Sequence, residues 1–325
     1  MGLCLFFALS AYLITMLLLQ EREIAGQISI PRFYVRRVLR IWPLYFFGIS
    51  IAFVGMILTH RAADSRALVW FIFFAGNIYG LLYHALASPL EILWSISVEE
   101  QFYLVWPLAM RWLSKRGLAA VAVLFLVVAN INLFVLGNHH ANTDVTVWQN
   151  TFVQFEMFAV GILLALWKRK FKCNALLGTL LVIATPLLWY VACFVFHAKQ
   201  APSQGHAVSG PILMSGYALV ALGCGSILTG FCMLGPSRMP KWAVDLGRIS
   251  YGLYVFHILA VVLAEHAIWH WVGRTGLRAY LITFFLQIPI GLAITIIAAK
   301  LSYRFLEKPF LKLKTRFEIV HSRPI

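Results

Sequence analysis

The stretch WSISVEEQFY at 94–103 places two adjacent carboxylates, Glu99 and Glu100, inside a run that otherwise reads as apolar. The whole chain has only 12 acidic residues in 325. A carboxylate at bilayer depth is costly, so by default it marks a place where the charge is used. On a helix, Ser95, Glu99 and Tyr103 recur at i, i+4 and i+8 and share one face. That face lines up a hydroxyl, a carboxylate and a phenol, a set suited to taking a proton from a hydroxyl group. A carboxylate held by a neighbouring arginine or a helix N-terminus would give the same pattern without any chemistry.

Two other groupings carry candidate chemistry. Arg36, Arg37 and Arg40 stand just before an apolar run, and Arg37 and Arg40 lie one turn apart on one face of a helical extension. Guanidinium forks match phosphate oxygens, which accept paired hydrogen bonds. Anchoring of a cytoplasmic loop by positive charge explains the same cluster equally well. Tyr251, Tyr254 and His257 repeat at a spacing of three, so all three are expected to line one cavity, with a neutral imidazole able to act as a base. The competing reading is a histidine that bonds across helices as packing glue.

The remaining polar residues are weaker candidates. Gln154 and Glu156 lie early in an apolar run and are expected to line an acceptor path, whereas Glu265, beside His266 and His270, is expected to snorkel. His139, His140 and Asp144 lack the spacing of a zinc motif and read as solvated loop. Cys4, Cys173, Cys193, Cys224 and Cys232 show no CxxC or Cys/His ligand spacing, so neither a disulfide framework nor a metal site is expected.

These residues need elements to hold them, and composition restricts the choice. The chain is 61% hydrophobic and 12% charged, with a mean hydropathy of +0.82, whereas soluble domains carry about 25% charged residues. The expected fold is an all-α polytopic transmembrane bundle, because a span needs about 20 apolar residues. Apolar runs fall at 3–19, 41–59, 67–83, 93–113, 118–136, 151–167, 175–197, 211–234, 250–272 and 277–302. The net charge of +15 comes from clusters between the runs, which is the positive-inside pattern and gives no reason to expect nucleic acid.

Loop charge sets the sides. Arg22 to Arg40, Arg111 to Arg116, Lys168 to Lys172, Arg238 to Arg248 and the tail from Lys300 are basic and should face the cytoplasm. The loops 137–150 and 198–210 are polar, nearly free of Lys and Arg, and should face outward. Between Tyr45 and Arg111 the number of crossings must then be even, although three runs lie there. The run 67–83, weakened by Gly76, Asn77 and Gly80, is expected to be re-entrant or surface-lying, leaving nine crossings. The first run would begin outside at Met1 with no basic leader; a preceding helix is the expected explanation. Residues 1–310 read as one membrane domain and 311–325 as a basic cytoplasmic tail. The stretch from Arg304 to Arg323 suits a short interfacial helix on an anionic leaflet.

Five stretches together resemble the acyltransferase 3 family of membrane-integral O-acyltransferases. LFFALSAYLI at 5–14 is similar to the family's "LFFVLSGFLI" helix, and FYVRRVLRIWP at 33–43 to its basic RxxR loop. WSISVEEQFY at 94–103 is similar to "WSLSVEEQFYL", and SYGLYVFH at 250–257 with SYRFLEKP at 302–309 to the closing helices. The match departs in two ways: Ala11 stands where glycine is usual, and the family's earlier helix, which bears a basic residue and a histidine, has no counterpart.

The resemblance implies transfer of an acyl group, acetyl above all, from cytosolic acyl-CoA to a hydroxyl of a surface or lipid-linked glycan, in the inner (plasma) membrane. No resident cofactor is implied. In that layout Arg37 and Arg40 grip the CoA phosphates, while Ser95 and Tyr103 contact substrate beside Glu99. Tyr251 and Tyr254 do so beside His257, and Glu99 and His257 are the candidate bases. Two other classes fit the same residues, a lipid or polysaccharide exporter and an inactive family remnant.

Overall fold

Apolar runs of this length in hydrocarbon can satisfy their backbone groups only internally, so each must form a helix. The computed structural model describes residues 1–58, 65–83, 91–139, 144–167, 174–198, 208–234, 240–273 and 276–320, and they are helical almost throughout. In chain order the helices are α1 (Gly2–Ala25), α2 (Ile30–Leu58), α3 (Ser65–Ile72), α4 (Gly76–Tyr83), α5 (Trp94–Trp112), α6 (Lys115–Asn138) and α7 (Asp144–Trp148). There follow α8 (Thr151–Trp167), α9 (Ala175–Phe194), α10 (Gly210–Leu234), α11 (Lys241–Arg248), α12 (Ser250–Val272), α13 (Leu277–Ser302) and α14 (Lys308–Lys314). Among the described residues, seven helices are long and apolar enough to cross a membrane: α1, α2, α6, α9, α10, α12 and α13. The protein is therefore a multi-pass membrane protein of all-α class. His140, Lys168, Arg169, Lys170, Lys172, Cys173, Arg238 and Arg323 lie outside the described residues.

The basic segment 20–40 is shorter as a loop than its charge suggests. Helix α1 runs to Ala25, Gly26 ends it in the left-handed region at φ 71°, and α2 starts at Ile30. Glu21 accepts from Ser29 N at 2.8 Å, closing the connection. Arg32 to Arg40 are therefore helical, on the first turns of α2. The run 67–83 does not form one span. It breaks between α3 and α4, where Phe74 takes φ 53°, and two helices of 8 residues are each about 12 Å long.

The chain divides into two compact units. The first comprises Met1–Ile30, Phe73–Ala85 and Trp94–Met239. Within it α1 and α5 run parallel: Ser10 meets Glu99, Thr15 meets Trp106, and Arg22 meets the end of α5. Helices α1 and α8 are parallel as well, Phe7 packing on Phe158 with ring centroids 5.4 Å apart. One turn on, a β-carbon at Gly161 would collide with the Ala8 carbonyl and the Tyr12 amide, so the α1–α8 crossing depends on glycine. Helices α9 and α10 are antiparallel and pack through Gly178 and Gly230, with Trp189 Nε1 donating to Val220 O at 3.3 Å. Within this unit α1, α5 and α8 therefore run in one direction.

The second unit comprises Pro31–Ile72, Leu86–Leu93 and Pro240–Ile325. Helices α2 and α12 are parallel, since Tyr251 hydroxyl donates to Ile41 O at 3.0 Å and Phe47 packs on Phe256. Helix α13 returns antiparallel, Gly252 meeting Ala299 and Gly291 meeting Val261. Tyr45 hydroxyl donates to Phe71 O at 2.7 Å and ties α3 to α2.

Candidate active site

In the first unit, Glu99, Tyr103 and Ser10 bring their side-chain oxygens together. Ser10 Oγ donates to Glu99 Oε1, Tyr103 hydroxyl donates to the same oxygen, and Ser10 and Tyr103 also touch. All three residues are buried. Glu99 and Tyr103 stand together on one face of α5 as their spacing requires. The hydroxyl beside them, however, comes from Ser10 on α1. Ser95, one turn before Glu99 on the same helix, is wholly buried. Ser10 was missed because nothing in local spacing reports an approach across 89 residues.

Two hydroxyls donating to one carboxylate oxygen fix Glu99 in position, and a carboxylate so held could take a proton from a substrate hydroxyl. An aromatic stack runs beside Tyr103: Phe102, with its ring centroid 6.0 Å from that of Tyr103, stacks on Phe158 at 4.3 Å and on Trp106 at 5.5 Å.

Two devices hold α5 in place. At its end, Arg22 Nη1 donates to Met110 O at 3.1 Å and Leu113 O at 2.9 Å, capping carbonyls that lack helical partners. On the face opposite Glu99, Gln101 bonds Asn77 Oδ1 at 2.9 Å and Phe74 O at 3.1 Å, and accepts from Thr151 Oγ1 at 2.8 Å. Asn77 donates to Thr151 Oγ1 at 2.9 Å and Gln149 O at 3.2 Å. This polar core gives the short α4 its job: a second layer of amides behind α5, not a lipid-facing span. Nearby, Gln154 and Glu156 are buried, and Gln154 Oε1 and Glu156 Oε2 accept no hydrogen bond.

The other candidates belong to the second unit. Tyr251 and Tyr254 spend their hydroxyls on the backbone, at Ile41 O (3.0 Å) and Ile92 O (2.6 Å). They therefore tie α12 to its neighbours. His257 is half-buried, and its Nδ1 lies 2.5 Å from Tyr254 O. A carbonyl only accepts, so Nδ1 carries a proton in this contact.

Arg37 and Arg40 lie on the first turns of α2, the Arg37 guanidinium 5.6 Å above the Phe33 ring. Arg36 Nη1 donates to Phe317 O at 3.0 Å, which brings the chain's closing segment against α2. That segment contributes buried Glu307, which accepts from Ser302 Oγ at 3.3 Å and feels the charge of Arg40. It also contributes buried Lys314, paired with Glu318 at 3.0 Å and within reach of the charges of Arg40 and Arg37. Sequence reading placed Lys314 and Glu318 in a basic cytoplasmic tail, within a stretch suited to a short interfacial helix.

Comparison with known proteins gives a family. The profile Acyl_transf_3, described as an acyltransferase domain, matches residues 1–304. A Bacillus subtilis (strain 168) protein, YrhL, named as a candidate peptidoglycan O-acetyltransferase, is 28% identical over 95% of this chain and 50% of its own length. The O-acetyltransferase OatA of Staphylococcus aureus (strain NCTC 8325 / PS 47) is 24% identical over 96% of this chain and 52% of its own. The chain thus spans about half the length of the curated relatives it matches. No solved structure matches it.

Proposed function

The chain belongs to the acyltransferase 3 family, and from that membership we propose that it moves an acyl group, acetyl above all, from cytosolic acyl-CoA to a hydroxyl of a surface or lipid-linked glycan. The carrying observation is the buried Ser10–Glu99–Tyr103 cluster. Glu99 takes the proton of the acceptor hydroxyl as that oxygen attacks the thioester carbonyl; the carbon–sulfur bond then breaks, the acyl group stays on the acceptor oxygen, and the proton passes on to the departing CoA sulfur. Ser10 and Tyr103 steady the carboxylate and share the incoming proton. The aromatic stack of Phe102, Trp106 and Phe158 keeps water from the thioester, limiting its hydrolysis. The names of YrhL and OatA support O-acetyl transfer, and that of YrhL supports peptidoglycan as the acceptor.

In this reading Arg37 and Arg40 hold the donor's phosphates, since paired guanidiniums are the natural grip for them. His257 is a second base through Nε2. The protein sits in the inner (plasma) membrane with nine crossings. Seven are the long apolar helices, and α5 and α8, at 19 and 17 residues, are the other two.

The test is transfer itself. Membrane vesicles carrying the full-length protein are supplied with CoA bearing a radiolabelled acetyl group on the cytosolic face. Alkali-labile label should appear on the glycan fraction. Label that stays in CoA or is released only as free acetate would overturn the reading.

A further inference from the structure

Helix α8 carries a polar group that the proposed chemistry leaves unused. Gln154, in its first turn, is wholly buried. Its Nε2 donates to Trp148 O at 2.7 Å, which fixes the amide, and its Oε1 accepts no hydrogen bond among the described residues. A buried carbonyl oxygen without a donor is costly, and native structures hold few of them. Gln149 Oε1, earlier on the same segment and also buried, is in the same state. The bond to Trp148 accounts for the nitrogen of the Gln154 amide and leaves its oxygen unexplained.

Contacts on either side set Gln154 against α5. Thr151, Gln154 and Phe158 recur at i, i+3 and i+7 and share one face of α8. Thr151 Oγ1 donates to Gln101 of α5 at 2.8 Å. Phe158 stacks on Phe102 of α5 at 4.3 Å and packs on Phe7 of α1 at 5.4 Å. Gln154 lies between these two contacts, so it faces the seam of α1 and α5 at the depth of the Glu99–Tyr103 turn. Glu156 also has a bare oxygen, but it stands about 200° around α8 from Gln154 and faces away from that seam. Glu99 is itself only 4% exposed. Gln154 and the cluster are closed off alike, and an acceptor that reaches one has entered the seam that holds the other.

We propose that Gln154 is a substrate-binding residue whose Oε1 accepts a hydrogen bond from the acceptor glycan and so holds the sugar with its reacting hydroxyl toward Glu99. The donor on the ligand is a second sugar hydroxyl or an acetamido N–H, the neutral donors that a glycan carries. The inference rests on the reading that Glu99 receives an acceptor hydroxyl; that reading does not require Gln154.

The test uses full-length protein in nanodiscs, with acetyl-CoA as donor and two soluble acceptor probes, the tetramer of N-acetylglucosamine and the tetramer of glucose. Gln154→Leu should raise the KM for the N-acetylglucosamine tetramer about fivefold, the size of one neutral hydrogen bond. The KM for acetyl-CoA should stay within about twofold of wild type. A glutamine with only a structural role would lower Tm and leave the ratio of the two KM values as it was. An equal rise with the glucose tetramer assigns the ligand's donor to a hydroxyl; a rise with the acetamido sugar alone assigns it to the N–H. Unchanged KM for both tetramers overturns the proposal and leaves Oε1 to an internal water. If Gln154→Leu fails to fold, Gln154→Asn, which keeps the amide but draws its oxygen back by a methylene, decides on the same KM values. If wild type acetylates neither tetramer, calorimetric binding of the tetramers decides: weaker binding by Gln154→Leu keeps the proposal, and equal or absent binding overturns it. The acyl-transfer reading itself stands or falls on the vesicle test.

Discussion

Glu99 and Glu100 are sequence neighbours about 100° apart on α5, and only Glu99 joins Ser10 and Tyr103. Glu99→Gln keeps the size of the side chain but cannot take a proton at the cluster. Transfer should fall at least about a hundredfold, the usual scale for a lost general base, with the membrane level of the protein near wild type. Glu100→Gln should be the milder change. Equal losses from both variants, with both proteins depleted, would make the pair structural. Ser10→Ala tests the residue that only the fold assigns to the site. Removing one donor to a buried carboxylate should raise the barrier by about 1–3 kcal/mol, seen in kcat with KM for acyl-CoA unchanged. An Ser10→Ala enzyme with wild-type kcat would leave the serine as packing.

At the scale of elements, the position of α5 depends on contacts at its end and along its back. Arg22→Ala withdraws the guanidinium from the Met110 and Leu113 carbonyls. It should cost about 1 kcal/mol, read as a lower Tm in detergent. The α1–α8 crossing offers a sharper contrast. Gly161→Val drives a side chain into the α1 backbone and should deplete folded protein. Gly225→Ala meets only Val160 Cγ1 at 3.4 Å, an ordinary contact, and should accumulate normally. Similar levels of the two variants in a membrane-fraction blot would contradict the packing described for α8.

At the scale of the whole molecule, sidedness follows from charge, and register tests it. Helices α1, α5 and α8 run parallel within the first unit; since α6 and α7 lie between α5 and α8 in the chain, α6 must bring it back across. Reporter fusions at residues 142 and 170 should therefore report opposite faces, 142 outside and 170 inside. The same face for both would break the nine-crossing scheme.

The sequence by itself determined the all-α membrane class, the long apolar helices and the place of the carboxylate pair on one of the helices. Apolar runs bounded by charge admit only helices in hydrocarbon, and most runs foretold the helix boundaries closely, although α2 begins at Ile30, well before its run, and 67–83 divides in two. The broken run 67–83 was legible too, because parity of loop charge forbade a third crossing there; the structure added the cause, Asn77 drawn into the amide layer behind α5. What the sequence could not supply is which distant helix faces each polar group. Helical spacing encodes neighbours within a turn or two, so Glu99 with Tyr103 was readable, and so was the Arg37–Arg40 pair. Ser10 beside Glu99, and the Phe317 carbonyl against Arg36, were not. Those partners are 89 and 281 residues apart in the chain. They meet only because glycine-lined crossings and a π-turn set the helices close enough, a matter of packing that no local pattern records.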